Sequence, residues 1–186
     1  MRKLTSFIQV TVDGRYAGKD GDLGWAHSHD AEWNEFVAGN AKGGGVLVFG
    51  RLTYEIMIQY WPTPLALKND PVVAERMNAL PKVVFSRTLD KASWSNTQLV
   101  KGDLAAEIRR MKNAPGDDMA TLGSGSLVSQ LAEAGLIDEL QIVVYPLVLG
   151  EGKKLFDGVK GKLTFKLTKT RAFRNGNVLL SYAPGS

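Results

Sequence analysis

The sequence predicts an α/β protein, a three-layer α/β/α sandwich whose central sheet has about eight strands and is mostly parallel. The first observation is that short apolar runs, such as residues 46–49, alternate with helical segments through the first part of the chain. That alternation is typical of a parallel sheet covered on both faces. The second observation is that the C-terminal part contains strand patterns only, near 163–173 and 178–182. These two segments predict an antiparallel hairpin at one edge of the sheet.

The strands are predicted from apolar or alternating runs that end at turn residues. In chain order they lie at 4–12, 46–49, 82–86, 97–100, 119–122, 139–150, 163–173 and 178–182. We expect the segment at 139–150 to form the longest strand. A glycine-rich loop follows the first strand, at 13–25, and it is about as long as functional loops usually are.

The helices are predicted from start signals and from amphipathic spacing. Ser28 or Asp30 can cap a helix whose buried face carries Trp33. The segment at 61–70 is expected to be looser than its neighbours. Further helices are predicted at 52–60, from 70 onward, at 103–112 and at 127–134.

Length and composition predict a single domain over residues 1–186. A chain of 186 residues, of which 44% are hydrophobic and 23% charged, can form one continuous core. The net charge of +4 is scattered along the chain, which favours a small anionic ligand over a nucleic acid. The absence of cysteine excludes disulfide bonds, thiolate metal sites and a cysteine nucleophile.

The N-terminal segment is interpreted as a strand rather than a signal peptide, because its apolar residues alternate with polar ones and no small-residue cleavage site follows. No apolar run approaches the roughly 20 residues needed to cross a bilayer. We therefore expect a cytoplasmic protein that acts on a small molecule, with no nucleic-acid or membrane partner.

Two strand-to-helix turns carry chemistry that suits an anionic ligand. "FGRLT" follows the strand at 46–49, and "LGSGS" follows the strand at 119–122. Ligands of open α/β sheets bind beyond the carboxyl ends of the strands, where free N–H groups at helix N-termini attract phosphate. A plain strand–helix connection is the alternative at each turn, because "GSGS" lacks the rest of the dinucleotide fingerprint.

The segment "HSHDAEW" allows three interpretations. His27 and His29 could hold a metal with Asp22 or Asp30, but such residues in a loop before a helix are more typical of surface and capping positions, so we predict no metal site. Asp30 itself is either a helix cap or a carboxyl group that relays a proton in a cleft walled by Trp25 and Trp33.

With these motifs in place, the chain resembles proteins of the dihydrofolate reductase fold. Within that fold it is most similar to the C-terminal reductase domain of bifunctional riboflavin-biosynthesis deaminase/reductases and their stand-alone relatives. The resemblance covers nearly the whole chain and is carried by "VTVDGRYAG", "DGDLGW", "VLVFGRLTYE", "KVVFSRTL" and "GSGSLVSQLAEAGLIDELQIVVYPLVLGEGKKLF". No zinc-deaminase signature is present, so the deaminase half is absent.

The resemblance implies a bound NADPH. The turn at 50–53 would hold the phosphates and the adenosine side, and residues 86–87 would flank the adenosine 2′-phosphate. The turn at 123–126 would cradle the pyrophosphate, and the backbone of Ala17 would face the nicotinamide. The residues implied to bind the cofactor are Ala17, Gly50, Arg51, Thr53, Ser86, Arg87, Gly123, Ser124, Gly125 and Ser126.

Cofactor preference follows from the two cations in this set. Arg51 and Arg87 lie at strand ends, and we expect no acidic residue beside either to hold a bare ribose diol. This expectation predicts that NADPH binds better than NADH.

The resemblance further implies an NADPH-dependent reductase that transfers hydride to a pterin-like or ribosylaminopyrimidine-type metabolite, of the 5-amino-6-(5-phosphoribosylamino)uracil reductase type. Asp30 stands in a W-x4-D-x2-W spacing similar to that around the catalytic carboxylate of folate reductases, so the proton would come from Asp30 or from water. The glycine-hinged loop could close over the nicotinamide.

Two alternatives stay open, an NADP(H)-binding protein of the same fold without efficient catalysis and a dihydrofolate reductase. Folate is disfavoured because Lys82 stands near the place where folate reductases have an arginine for the glutamyl carboxylate. The family resemblance and the apolar C-terminal strands also predict a homodimer, in which these strands pair or pack across a two-fold axis.

Overall fold

In a computed structural model, which describes residues 1–27, 30–41, 43 and 45–185, the chain forms ten strands and six α-helices. The strands are β1 (Leu4–Thr11), β2 (Arg15–Ala17), β3 (Val46–Gly50), β4 (Lys82–Phe85), β5 (Thr97–Val100), β6 (Met119–Thr121), β7 (Glu139–Tyr145), β8 (Lys153–Lys154), β9 (Phe165–Ala172) and β10 (Val178–Pro184). The helices are α1 (Ala31–Ala41), α2 (Arg51–Tyr60), α3 (Pro64–Asn69), α4 (Pro71–Ala79), α5 (Leu104–Asn113) and α6 (Gly125–Glu133). None of the helices in these ranges is long and apolar enough to cross a membrane.

Eight strands form the main sheet, in the order β5-β4-β3-β6-β1-β7-β10-β9. Strand β1 lies at the centre and pairs in parallel with β6, where Leu4 is opposite Met119, and with β7, where Thr5 is opposite Glu139. Strand β10 runs antiparallel to both of its neighbours. The predicted fold class, with its parallel sheet and antiparallel C-terminal hairpin, is confirmed.

Helices cover both faces of this sheet. On one face, Leu127 and Leu131 of α6 join Leu4 of β1 in a buried apolar cluster. On the opposite face, Trp33 of α1 packs edge-on against Tyr145 of β7, with ring centroids 5.9 Å apart. Because successive residues of a strand point to opposite faces, the apolar residues of β1 serve both layers.

Two segments differ from the sequence prediction. Strand β7 ends at Tyr145 rather than at 150, because Pro146 has no N–H to donate and the Leu147 N–H turns back to the Tyr145 carbonyl (2.8 Å). The segment at 61–70, expected to be loose, contains α3, whose first turn is capped by the Thr63 hydroxyl.

The loop after β1 is fixed at its base. The Asp13 carboxylate accepts the N–H of Gly150 (3.0 Å), and the Arg15 guanidinium donates to the carbonyls of Gly150 and Gly152 (2.7 Å each). Hydrogen bonds, of which that from the Thr11 hydroxyl has the largest effect, hold the pKa of Asp13 well below its usual range. Strand β2 then pairs with β8 in a small antiparallel sheet. The first part of the loop that could close over the nicotinamide is therefore tied to the C-terminal third of the chain.

The outer edge of the main sheet is β9, of which seven residues are exposed. Lys166 and Lys169 are among them, and Leu167 is the only large apolar side chain on this strand that is mostly solvent-facing, at 49% exposure. Basic side chains on an edge strand oppose its pairing with another strand. The homodimer stays a prediction that rests on the family resemblance and on the two C-terminal strands, of which β9 presents mostly polar side chains to solvent.

Candidate functional site

A cleft of about 1140 Å³ extends along the carboxyl ends of the parallel strands. It is lined by turns that follow β3, β4 and β6 and by β2, as expected for ligand sites of open α/β sheets. All ten residues that the sequence assigned to cofactor binding line this cleft: Ala17, Gly50, Arg51, Thr53, Ser86, Arg87, Gly123, Ser124, Gly125 and Ser126. The fold thus brings together residues from four separate segments, and their binding roles stay predictions.

The floor of the cleft consists of two helix N-termini that lie side by side. Strands β3 and β6 are parallel neighbours, so α2 and α6, which follow them, begin at the same edge of the sheet. Their N-cap residues are Gly50 and Ser124, and neither helix has a side-chain cap hydrogen bond. A Cβ atom on Gly50 would lie 3.2 Å from the Ser124 hydroxyl oxygen. A glycine at 50 therefore permits this close approach of the two turns.

The hydroxyl groups of the second turn also face one another rather than the helix. The Oγ atoms of Ser124 and Ser126 are 3.1 Å apart. The first N–H groups of each helix have no intrahelical acceptor, and their partial positive charge favours an anion. The arrangement can therefore bind phosphate oxygens with backbone N–H groups and hydroxyls at once.

Arg51 and Arg87, the two cations that were expected to meet the cofactor, have different environments. Arg51 forms an ion pair with Glu55 one turn later, with Nη1 3.2 Å from Oε1. The expectation that no acid lies beside Arg51 was wrong, because Glu55 lies on the same side of α2 and also lines the cleft. Within the described residues, exposed Arg87 makes no hydrogen bond or ion pair. Arg87 is thus the cation free to meet an anionic ligand.

Ser86 stabilises the turn at the end of β4. Its hydroxyl accepts the N–H of Leu89 (2.9 Å) and that of Thr88 (3.2 Å), which closes the turn after the strand. The side chain still lines the cleft. The turn that it closes is the one that carries Arg87.

The opposite wall of the cleft is formed by β2. Ala17 is 4% exposed and pairs with Lys153 of β8, so its backbone position is fixed by the small sheet. The ring of Tyr16 lies directly over Gly125, where a Cβ atom would overlap it. Burial raises the pKa of the Tyr16 hydroxyl above its usual value. Contact between β2 and the start of α6 therefore requires a glycine at 125.

Asp30 has the geometry of a helix cap. Its carboxylate accepts the N–H of Trp33 (2.9 Å) at the start of α1. Asp30 is not among the residues that line the cleft, although Trp25 is. Of the two interpretations of Asp30, the structure favours the cap, because its carboxylate is engaged by the helix N-terminus. Its role in proton transfer stays a prediction.

Lys82 lies away from the cleft and cannot meet a ligand there. The side chain is 1% exposed, and its ammonium donates to the carbonyls of Met77 (2.8 Å), Asn78 (3.1 Å) and Leu80 (2.6 Å) at the end of α4. It also lies 4.6 Å from the centre of the Trp94 ring. Burial lowers the pKa of Lys82 to about 8. Lys82 is thus a structural cation, and its ammonium is not available to bind a folate carboxylate.

A second half of the cleft was not found from the sequence. It is mostly apolar, and at its rim the Arg76 guanidinium donates to the carbonyls of Ala41 (3.3 Å) and Gly43 (3.1 Å). The indole N–H of Trp25 is buried there and has no partner within the described residues. The apolar residues that line this half include Phe7, Val37, Met57, Trp61, Val73 and Met77. They come from separate elements, so no local motif could have revealed them.

The possible metal site of the histidine segment can be compared with the structure only in part. Ser28 and His29 lie outside the described residues. Across the ranges that are described, no group of three or more His, Cys, Asp or Glu side chains is placed to hold a metal ion.

Three solved structures share this fold. A candidate riboflavin biosynthesis protein from Shewanella sp. PV-4 is 24% identical, with a TM-score of 0.75 and 99% of both chains covered. A diaminohydroxyphosphoribosylaminopyrimidine deaminase/5-amino-6-(5-phosphoribosylamino)uracil reductase from Thermotoga maritima is 15% identical, with a TM-score of 0.66; the match covers 99% of this chain and 57% of that one. Dihydrofolate reductase from Enterococcus faecalis, complexed with NADP(H), is 17% identical with a TM-score of 0.66, covering 99% of this chain and 97% of that one.

The sequence match is more specific than the shared fold. Residues 2–179 match the model of the RibD C-terminal domain. That range contains seven of the eight strands of the main sheet, the first two residues of β10 and both turns that form the floor of the cleft. With the fold, the cleft and this match in agreement, the chain belongs to the RibD C-terminal domain family.

Proposed function

We propose that this protein is an NADPH-dependent reductase of a pterin-like or ribosylaminopyrimidine-type metabolite. The observation that carries the proposal is the pair of uncapped helix N-termini, at Gly50 and Ser124, that meet on the floor of one cleft. A dinucleotide pyrophosphate satisfies such N–H groups, and Arg87 beside them suits a 2′-phosphate. The neighbours named above include two reductases, one of them in complex with NADP(H).

The residues present fit this cofactor from end to end. The adenosine phosphate would lie near Arg87 and Ser86, the pyrophosphate on the turn at 123–126, and the nicotinamide against the backbone of Ala17. The backbone of Ala17 is fixed by the β2–β8 pairing, so it can define one face of the nicotinamide site. When bound, NADPH supplies the hydride.

The apolar half of the cleft suits a flat heterocycle. Phe7, Trp25 and Met57 lie along its wall and would exclude water from the reacting atoms. Arg76 at the rim can bind an anionic group, such as a phosphate on the substrate tail. Reduction of a C=N or C=O bond also needs a proton, and with Asp30 bound to α1 we propose water as its immediate source.

A second candidate function is supported by the position of Asp30. Its carboxylate is bound to the Trp33 N–H and lies outside the cleft lining, so no acid of the first helix reaches the reacting atoms in this structure. That observation favours an NADP(H)-binding protein of the same fold without efficient catalysis. NADPH oxidation with candidate heterocycles separates the two, because only the reductase consumes the cofactor.

The cofactor part of the proposal is tested by calorimetric titration with NADPH and NADH. We expect tighter binding of NADPH, and Arg87→Ala should weaken NADPH binding by about 1–3 kcal/mol, the usual cost of losing a charge-assisted hydrogen bond, while leaving NADH unchanged. Lys91→Ala, which removes an exposed cation outside the cleft lining, is the matched control. Equal affinity of the wild type for the two cofactors would contradict the preference for NADPH. If the wild type binds neither cofactor, the proposed function is wrong.

A further inference from the structure

The ion pair at the start of α2 places an acid inside the proposed adenosine site. Arg51 Nη1 lies 3.2 Å from Oε1 and 3.3 Å from Oε2 of Glu55, so one nitrogen bridges both carboxylate oxygens. Both side chains line the cleft. They remain 43% and 37% exposed, so a ligand can reach either group.

A second cation lies close to this pair because of the sheet register. Strands β3 and β4 are parallel neighbours, and Gly50 is opposite Phe85. The chain leaves both strands at the same level, so Arg51 and the Ser86–Arg87 turn begin side by side. The carboxyl ends of β3 and β4 thus present two guanidinium groups and one carboxylate to the same part of the cleft.

These groups prefer different adenosine nucleotides. A carboxylate hydrogen-bonds the hydroxyl groups of a ribose, whereas a guanidinium binds a 2′-phosphate. A 2′-phosphate that approaches Arg51 must compete with Glu55 for the same nitrogen and is repelled by the carboxylate. A ribose with a free 2′-hydroxyl neither competes with Glu55 nor is repelled by it, because Arg51 can stay paired with Glu55.

We propose that Glu55 is the specificity-determining residue of the adenosine site: it sets how strongly the cleft prefers a 2′-phosphate over a 2′-hydroxyl by holding Arg51. The proposal rests on the proposed cofactor function and names the residue that limits its preference for NADPH. Arg87, which has no ion-pair partner in the part of the chain that the structure describes, provides the preference, and Glu55 reduces it.

The test is the affinity of the full chain for adenosine 2′,5′-bisphosphate and for 5′-AMP, measured by calorimetry. Glu55→Gln should tighten binding of the bisphosphate by about tenfold, the size expected when the freed Arg51 guanidinium makes one charge-assisted hydrogen bond with the 2′-phosphate. Binding of 5′-AMP should stay the same or weaken. The double variant Arg51→Ala with Glu55→Gln should lose the gain, because the gain depends on freeing Arg51.

Glu75→Gln is the matched control, since it removes the same charge from an exposed position of α4 outside the cleft lining. We expect it to change either affinity by less than about twofold, because salt screens distant charges. An unchanged ratio in Glu55→Gln, or an equal gain for both nucleotides, would overturn the role of Glu55 and leave the proposed function standing. A wild type that binds neither nucleotide would instead remove the adenosine site itself, and the role of Glu55 with it.

Discussion

Helices α1 and α5 begin with a bound carboxylate, whereas α2 and α6 begin with none. Asp30 accepts the N–H of Trp33, and Asp103 accepts the N–H of Ala106, each at 2.9 Å. By contrast, α2 and α6 have no side-chain cap bond, although they are of similar length. Helix α4 also lacks a cap bond, but its Asp70 carboxylate accepts the Tyr60 hydroxyl (2.9 Å).

The difference shows where the chain has kept donors available. A cap contributes about 0.5–2 kcal/mol to stability, and the sequence supplies suitable residues at several helix starts. The two helices that face the floor of the cleft do without that contribution and leave their N–H groups to a ligand. The capped start of α5 also lines the cleft through Asp103, so the missing caps mark α2 and α6 as the two helix starts of this cleft whose N–H groups are left without a side-chain acceptor.

Adding a carboxylate to the first turn of α6 should have the largest effect on this difference between the helix starts. Ser126→Asp places a carboxylate in the first turn of α6, where it should stabilise the fold by about 0.3–1 kcal/mol through the helix dipole. It also fills the anion site, so we expect NADPH affinity to fall at least about hundredfold. Calorimetric titration and thermal unfolding of the same variant measure both effects.

The control is Gln98→Glu, which adds the same charge to an exposed position of β5 away from the cleft. It should leave NADPH affinity within about twofold of the wild type, because distant surface charges are screened. Normal NADPH binding by Ser126→Asp would show that the phosphates do not lie on α6.

The next prediction concerns the C-terminal end of a helix, because Lys82 binds the last carbonyls of α4. Lys82→Met leaves three carbonyl groups without this donor and should lower the free energy of unfolding by about 1–3 kcal/mol at pH 7. The difference should widen above pH 8. In the folded wild type Lys82, with its pKa lowered to about 8, loses its proton there, while the unfolded chain keeps it up to about pH 10.5.

Because the unfolded state then binds more protons than the folded state, wild-type stability gains from this group as pH rises from about 8 to 10.5. Burial raises the pKa of Tyr145 to about 12, so above pH 10 the unfolded chain loses this proton first and stability falls as pH rises. The effect is the same in the wild type and in Lys82→Met, so it cancels when their stabilities are subtracted. Denaturant unfolding of the two proteins at several pH values measures this difference in the free energy of unfolding. A difference that does not change with pH would mean that Lys82 keeps its proton in the folded state.

The smallest expected effect concerns the cap of α1. Asp30→Ala should cost about 0.5–2 kcal/mol of stability, whereas Asp30→Ser, which can keep the cap bond, should stay near the wild type. Neither should alter NADPH affinity. If Asp30→Ser instead slows hydride transfer by about 10²–10⁴-fold while remaining stable, Asp30 supplies or positions the proton after all.

Much of the fold and the half of the cleft that the strand-to-helix turns form could be predicted because their signals are local. The glycine at 50 and the turn at 123–126 follow apolar strands directly, and turn chemistry depends on neighbouring residues. The ion pair between Arg51 and Glu55 also had a local signal, the four-residue spacing on a helix, that the sequence interpretation missed.

The rest depends on contacts between distant segments. Arg76 reaches the rim of the cleft because α4 packs on the end of α1, and Lys82 turns inward because three carbonyls and Trp94 surround it. Neither orientation follows from the residues next to these cations. The pairing of β2 with β8 likewise joins segments that only the finished fold brings together.

The central place of β1 in the sheet has a consequence for synthesis. Its partners are encoded at Met119–Thr121 and Glu139–Tyr145, so β1 leaves the ribosome long before either strand with which it pairs. At about 5–20 residues per second, β1 waits on the order of ten seconds with its apolar residues uncovered. A nascent chain that stalls before Met119 thus presents β1 as an apolar strand with neither of its partners, a segment suited to capture by a chaperone.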